Sequence, residues 1–187
     1  MAGQVRQRMI ESTVQLLAQR GLQATSFSEV LESSGAPRGS VYHHFPDGKD
    51  QLVDAALGLA GDRALRMLDG WAGSSPPEIT EKFLGMWRTL LSHTRFTTGC
   101  SVLAVTVATD SPELLNHAAT IFRAWRARLA ELFEEGGLEP RDAARVAAIL
   151  VASSEGAVVL SRAEQSMEPF DLVAEQLIEQ VQRMAAA

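Results

Sequence analysis

A chain of 187 residues, 46% hydrophobic and carrying a formal charge of −6, is long enough to bury a core as one domain, or as a small domain joined to a larger one. The acidity excludes a general nucleic-acid coat, which would be basic overall, and no run of eighteen uncharged apolar residues offers a membrane span. The single cysteine, Cys100, excludes an internal disulfide and suits a reducing cytoplasm, where the protein is expected.

The charge is unevenly spread. In residues 1–50 the basic and acidic side chains balance, five against five, and the whole acidic excess lies in residues 51–187. A site-specific DNA binder tolerates this, because it needs only a local set of positive groups, and repulsion elsewhere suppresses stray binding. The start, MAGQVRQRM, passes into an amphipathic pattern without the apolar stretch of a signal peptide.

Residues 4–20 read as a first helix. Met9, Ile10, Thr13, Val14 and Leu17 form its buried stripe, Arg6, Gln7, Glu11, Gln15 and Gln19 face out, and Gly21 ends it. From Ser26 to Lys49 the chain reads SFSEVLESSGAPRGSVYHHFPDGK. Ser26 and Glu29 have the spacing of a capping box, and Phe27, Val30 and Leu31 give the helix that follows one apolar face. Gly35 suits a left-handed cap and Pro37 the first turn of another helix, which is brief because Phe45 precedes Pro46. Val41 and Phe45, four apart, turn inward. Arg38, Gly39, Ser40, Tyr42, His43 and His44 are left mostly outside. That face holds a guanidinium, hydroxyls, a phenol and imidazoles beside a bare glycine: groups that donate to phosphates and base edges, and a backbone open to close approach. The pattern is a helix-turn-helix.

The run GAPRGSVYHHFPDGKDQL, after a Ser/Thr-rich helix start and an amphipathic first helix, resembles the DNA-binding domain of TetR-family transcriptional regulators over about residues 5–57. The spacer Pro46-Asp47-Gly48 is one residue longer than is usual in that family. Together with Gly99-Cys100 it is similar to the LmrA/YxaF-like subgroup. The resemblance implies a bacterial, cytoplasmic regulator that grips a double-stranded DNA operator as a homodimer and responds to a small-molecule effector. Ser28, Arg38, Gly39, Ser40, Tyr42 and His43 would read or position the DNA, with His44 and Lys49 near phosphates. Lys49 in the first turn of a helix is otherwise oddly placed against the helix dipole.

A fourth helix is expected from Gly48 to about Trp71, followed by a loop at Gly70–Pro77. Phe83, Leu84, Trp87, Leu90 and Leu91 recur at helical spacing to about Ser92, and residues 93–100 are irregular. Residues 101–109, SVLAVTVAT, would suit a buried strand, but no partner strand exists, so a buried helix is expected. Helices then follow from Ser111 to Glu135, from Pro140 or Arg141 to Ala163, and from Phe170 to about Met184. The result is an all-α fold of about nine helices, with a DNA-binding domain at 1–50 and a helical ligand-binding and dimerisation body at 51–187.

Within the body, the small residues of RDAARVAAILVASSEGAVVLSRAE, with Leu177, Ile178 and Val181 of the last helix, point to a dimer surface made by the last two helices. Phe83, Trp87, Phe96, Phe122 and Trp125 either fill the core or line a cavity. The resemblance favours an effector pocket there, with Cys100 and Glu155 as polar contacts and Thr106, Asn116 and Ser154 as further ones. No nucleophile elbow, phosphate loop, zinc-protease or paired-cysteine motif occurs, so no catalytic residue, metal or cofactor is expected and the chain is not an enzyme. His43 and His44 should diverge on their helix, and His93 and His117 read as surface or helix-end residues.

Overall fold

Nine helices and no strand occur among residues 2–186, the part of the chain that the computed structural model describes. They are α1 (Ala2–Arg20), α2 (Phe27–Ser34), α3 (Ser40–His44), α4 (Lys49–Asp69), α5 (Pro76–His93), α6 (Ser101–Thr106), α7 (Pro112–Glu135), α8 (Pro140–Glu164) and α9 (Glu168–Ala185). The all-α expectation holds.

The chain divides into two compact units. One comprises the chain up to Arg63 together with Cys100–Phe122, and the other Ala64–Gly99 together with the chain from Arg123 onward. Helices α4 and α7 therefore each contribute to both.

In the first unit α1 packs against α2 and α6, burying Met9, Ile10, Leu16 and Leu17. The Thr13 hydroxyl is buried with them and donates to the Met9 carbonyl at 2.8 Å, so no polar group is orphaned on that face. The β-branched stretch after Cys100 is helical for six residues. Thr106 satisfies its hydroxyl on the Val102 carbonyl at 2.8 Å, and the Cys100 sulfur caps the start by accepting the Leu103 N–H at 3.4 Å. Helix α7 meets α4 closely here: a Cβ on Gly61 would lie 3.1 Å from the Ile121 side chain. His117 is no loose surface residue, since its Nδ1 lies 2.6 Å from Asp54 Oδ1 on α4.

The long spacer before α4 is a tight turn. Gly48 donates to the Phe45 carbonyl at 3.1 Å and has φ of +92°, where an L side chain is strained. Replacing Gly48 with alanine should destabilise the protein by about 1–2 kcal/mol, read as a lowered melting temperature, although a Cβ there meets nothing within 4 Å.

In the second unit α5 packs on α9 and α8, and α8 packs on α9. The Gly70–Pro77 loop is shorter than expected. Pro76 already occupies the first turn of α5, and a capping box precedes it, with the Ser75 N–H and hydroxyl donating to Glu78 Oε2 at 2.8 and 2.9 Å. The Ser75 N–H, then its hydroxyl, hold the Glu78 carboxyl below its ordinary value. Its contribution to α5 is therefore present above the usual carboxylate range and is lost as pH falls through the lowered value. Arg128 of α7 gathers Asp69, Glu131 and Glu135 at 2.7, 3.1 and 3.3 Å, and the bond to Asp69 is the main reason that its guanidinium holds its proton more tightly than usual.

Of the α9 residues expected at a dimer surface, Leu177 and Val181 are buried within the chain and Ile178 is half-buried. Helix α8 presents more to the outside. Ala152, Gly156, Val159 and Leu160 are exposed on it, while Val151, Ser154, Ala157, Val158 and Ser161 are buried. It also has the length and hydropathy of a membrane span, with 50% of that window buried inside the protein, as a core helix would have.

Candidate nucleic-acid interface

Helix α2 starts where Ser26 accepts the Glu29 N–H at 3.2 Å. The expected capping box is only half made, because the Glu29 carboxylate turns to Arg20 at the end of α1 instead of to the Ser26 N–H. Charge attraction between two helix ends outcompetes a local reach-back. Gly35 closes α2 in the left-handed region (φ +63°), the Ala36 N–H is taken by Ser34 Oγ at 3.3 Å, and Ser40 binds back to the Pro37 carbonyl through its hydroxyl at 2.6 Å. The turn between α2 and α3 is thus held by its own polar groups.

Helix α3 has five residues, too few to stand alone, and is held by tertiary contacts. Val41 and Phe45 are buried, and the Arg6 guanidinium lies 5.3 Å from the Phe45 ring centroid. Tyr42 points outward and is 70% exposed, steadied by an edge contact with Phe27 of α2 at 5.8 Å between centroids. Arg38, Gly39 and His43 are exposed beside it, Ser40 and His44 half-buried, and Ser28 is exposed on α2. The His43 and His44 rings do not diverge as expected; they meet edge to face at 5.0 Å. No cluster of metal-ligand type includes them among the described residues.

Gly39 carries the most information. Its φ of −74° is open to any residue, and a Cβ there would meet nothing within 4 Å. Nothing inside the chain requires a glycine at that position. A surface that must lie flat against another molecule does. Lys49 is half-buried, and its Nζ donates to the Leu22 carbonyl at 2.7 Å, just past the end of α1. This explains a cation in the first turn of α4 without a phosphate, since the carbonyl end of α1 is a favourable place for it.

The residues expected around an effector are divided between the units. Phe83 and Trp87 of α5, Phe96 of the loop that follows, Trp125 of α7 and Glu155 of α8 lie in the second unit, and Cys100 and Phe122 in the first. Phe83, Trp87 and Glu155 are buried, the others half-buried. The sequence reading did not single out Phe27, Arg6, Asp54 or His117 as partners of these elements. Only the first had a local signal, an aromatic at the start of a helix that otherwise had small polar residues facing out.

Two short helices crossing at a tight turn, the second with a polar aromatic face outward, define a helix-turn-helix DNA-binding protein. Residues 9–56 match the model of bacterial regulatory proteins of the tetR family, and residues 76–176 match the C-terminal domain of transcriptional regulators of the LmrA/YxaF-like type. The chain belongs to the TetR family of transcriptional regulators, in its LmrA/YxaF-like branch, and is not an enzyme. It is 35% identical over 179 residues to the HTH-type transcriptional regulator Rv0196 of Mycobacterium tuberculosis, covering 92% of this chain and 91% of that one. It is 25% identical over 172 residues to the HTH-type transcriptional regulator LmrA of Bacillus subtilis, covering 90% and 92%. The regulatory protein TetR from Rhodobacter sphaeroides shares the fold, with a TM-score of 0.83 at 22% identity over 94% of this chain and 97% of that one.

Proposed function

We propose that the chain is a cytoplasmic, homodimeric repressor whose hold on its operator is released by a small, largely apolar molecule. The face of α3 is the observation that carries this reading, above all an exposed Tyr42 beside a Gly39 that the fold itself does not need. Arg38, Gly39, Ser40, Tyr42 and His43, with Ser28 on α2, meet the DNA, and His44 and Lys49 lie near phosphates. Lys49 keeps two further ammonium protons for that purpose beyond its bond to Leu22. Residues 1–50 form the DNA-binding domain and 51–187 the effector-binding and dimerisation body, in which Phe83, Trp87, Phe96, Cys100, Phe122, Trp125 and Glu155 serve the effector.

The dimer reading is supported by the outward side of α8, where Ile149, Val159 and Leu160 are all more than 40% exposed around the small Ala152 and Gly156. Two recognition helices must reach successive major grooves about 34–36 Å apart, which one copy cannot do. Release needs only about 1–3 kcal/mol of differential affinity, roughly 5–150-fold. Helices α4 and α7, shared by the two units, are the covalent routes by which an effector in the body acts on the DNA-binding part.

A gel-shift against the DNA flanking the protein's own gene, repeated with candidate apolar ligands, tests both halves of the proposal. A specific shift that a ligand reverses is the expected result. The absence of any specific shift would sink the repressor reading, and a shift that no ligand alters would sink release.

A further inference from the structure

Two polar side chains inside the second unit have donors that the unit does not meet. Trp87 is 7% exposed and Thr98 9% exposed, and neither the indole Nε1 nor the threonine Oγ1 has a hydrogen-bond partner among the described residues. Native interiors leave few such groups, and an indole N–H can only donate, so it calls for an acceptor. Other buried hydroxyls of the same unit keep the rule. Thr80 donates to the Pro76 carbonyl at 2.9 Å, Ser154 to the Val151 carbonyl at 3.0 Å, and Ser161 accepts the Phe170 N–H at 3.2 Å.

Trp87 lies on the buried stripe of α5 with Phe83, Leu84 and Leu91, and the Trp71 ring meets Phe83 edge-on at 6.4 Å. Thr98 belongs to the chain that turns back immediately after α5. There the Phe96 N–H reaches the Leu91 carbonyl at 2.9 Å, Arg95 and Phe96 take left-handed φ of 48° and 62°, and Arg162 of α8 holds the Thr97 carbonyl at 3.1 Å. Backbone strain at two non-glycine residues, pinned from α8, fixes the segment that carries one orphan donor next to the helix that carries the other.

Building on the ligand-release reading above, we infer that Trp87 and Thr98 are the polar recognition points for the effector. The effector is an uncharged, aromatic molecule with a hydrogen-bond-acceptor oxygen such as a carbonyl. Neutrality follows from the burial pattern. Glu155 is the one ionisable side chain buried in this unit among the described residues, and no cation is buried with it to balance a carboxylate or phosphate on a ligand. The aromatic frame follows from the rings that accompany Trp87 on α5.

The test uses the full-length protein and two probes of nearly one shape, benzophenone and diphenylmethane, which differ in a carbonyl against a methylene. Benzophenone is expected to bind about five- to tenfold more tightly, as one well-made hydrogen bond to a buried donor would give. The indole N–H resonance of Trp87, assigned by its loss in Trp87→Phe, should move with benzophenone and stay with diphenylmethane. In Trp87→Phe the preference should vanish while diphenylmethane still binds, and Thr98→Val, an independent variant, should lower the preference in part. Equal affinity of the two probes for the native protein, a preference that survives Trp87→Phe, or no binding of benzophenone at all would overturn the inference. The ligand-release reading is judged apart, by whether any apolar compound weakens the operator complex.

Discussion

Tyr42→Ala is expected to weaken operator binding by about 10- to 100-fold, the loss of one or two contacts at about 1–3 kcal/mol each, while the fold stays intact. The side chain is 70% exposed and its one aromatic contact is the edge of Phe27, so little core is lost with it. An exposed aromatic pair contributes at most about 0.5–1.5 kcal/mol, which for a chain of this size shifts the melting temperature by only a few degrees. Tyr42→Phe separates the ring from the hydroxyl. It keeps the contact with Phe27, should melt like the native protein, and should lose only the share of affinity that the phenol donates to the DNA. The two readouts move in opposite ways under the alternative reading. A structural tyrosine would lower the melting temperature in both variants and leave operator affinity alone, and that outcome would displace α3 as the recognition helix.

What the sequence disclosed about this site was local chemistry. The left-handed cap at Gly35, the first-turn proline, the inward Val41 and Phe45 and the outward Tyr42 each depend on neighbours within a few residues, and each is found where the pattern placed it. What escaped depends on residues far apart in the chain. Lys49 reaches a carbonyl 27 positions back, and His117 pairs with Asp54 across 63 positions. No periodicity encodes such meetings. Glu29 shows the two levels in competition: the spacing from Ser26 favoured a reciprocal cap, and Arg20, brought alongside by the packing of α1 on α2, took the carboxylate. The body follows the same rule. Helix boundaries were legible from apolar spacing, proline and glycine. The division that assigns α6 and the first half of α7 to the same unit as the helix-turn-helix comes from long-range packing and left no mark in the sequence.

Gly156→Glu should convert the protein from dimer to monomer and, through that alone, reduce operator affinity by about 100-fold or more, because two half-sites can no longer be engaged at once. The position separates assembly from folding. A Cβ on Gly156 meets nothing within 4 Å in the chain itself, and the residue is exposed in the middle of α8. Within one copy, replacing a mid-helix glycine even favours the helix by up to about 1 kcal/mol. Against a second copy the same side chain brings a charge and bulk into a stripe of Ala152, Gly156 and Val159 whose small residues let two helices approach closely. Circular dichroism should therefore report an intact helical fold while sedimentation reports one chain. Gly156→Ala, adding a single methyl, should weaken the dimer less than the charge does. If Gly156→Glu sediments as a native-like dimer, the copies meet through some other surface and the outward side of α8 needs a different explanation; if it is monomeric yet binds the operator with native affinity, the requirement for two linked recognition helices is wrong.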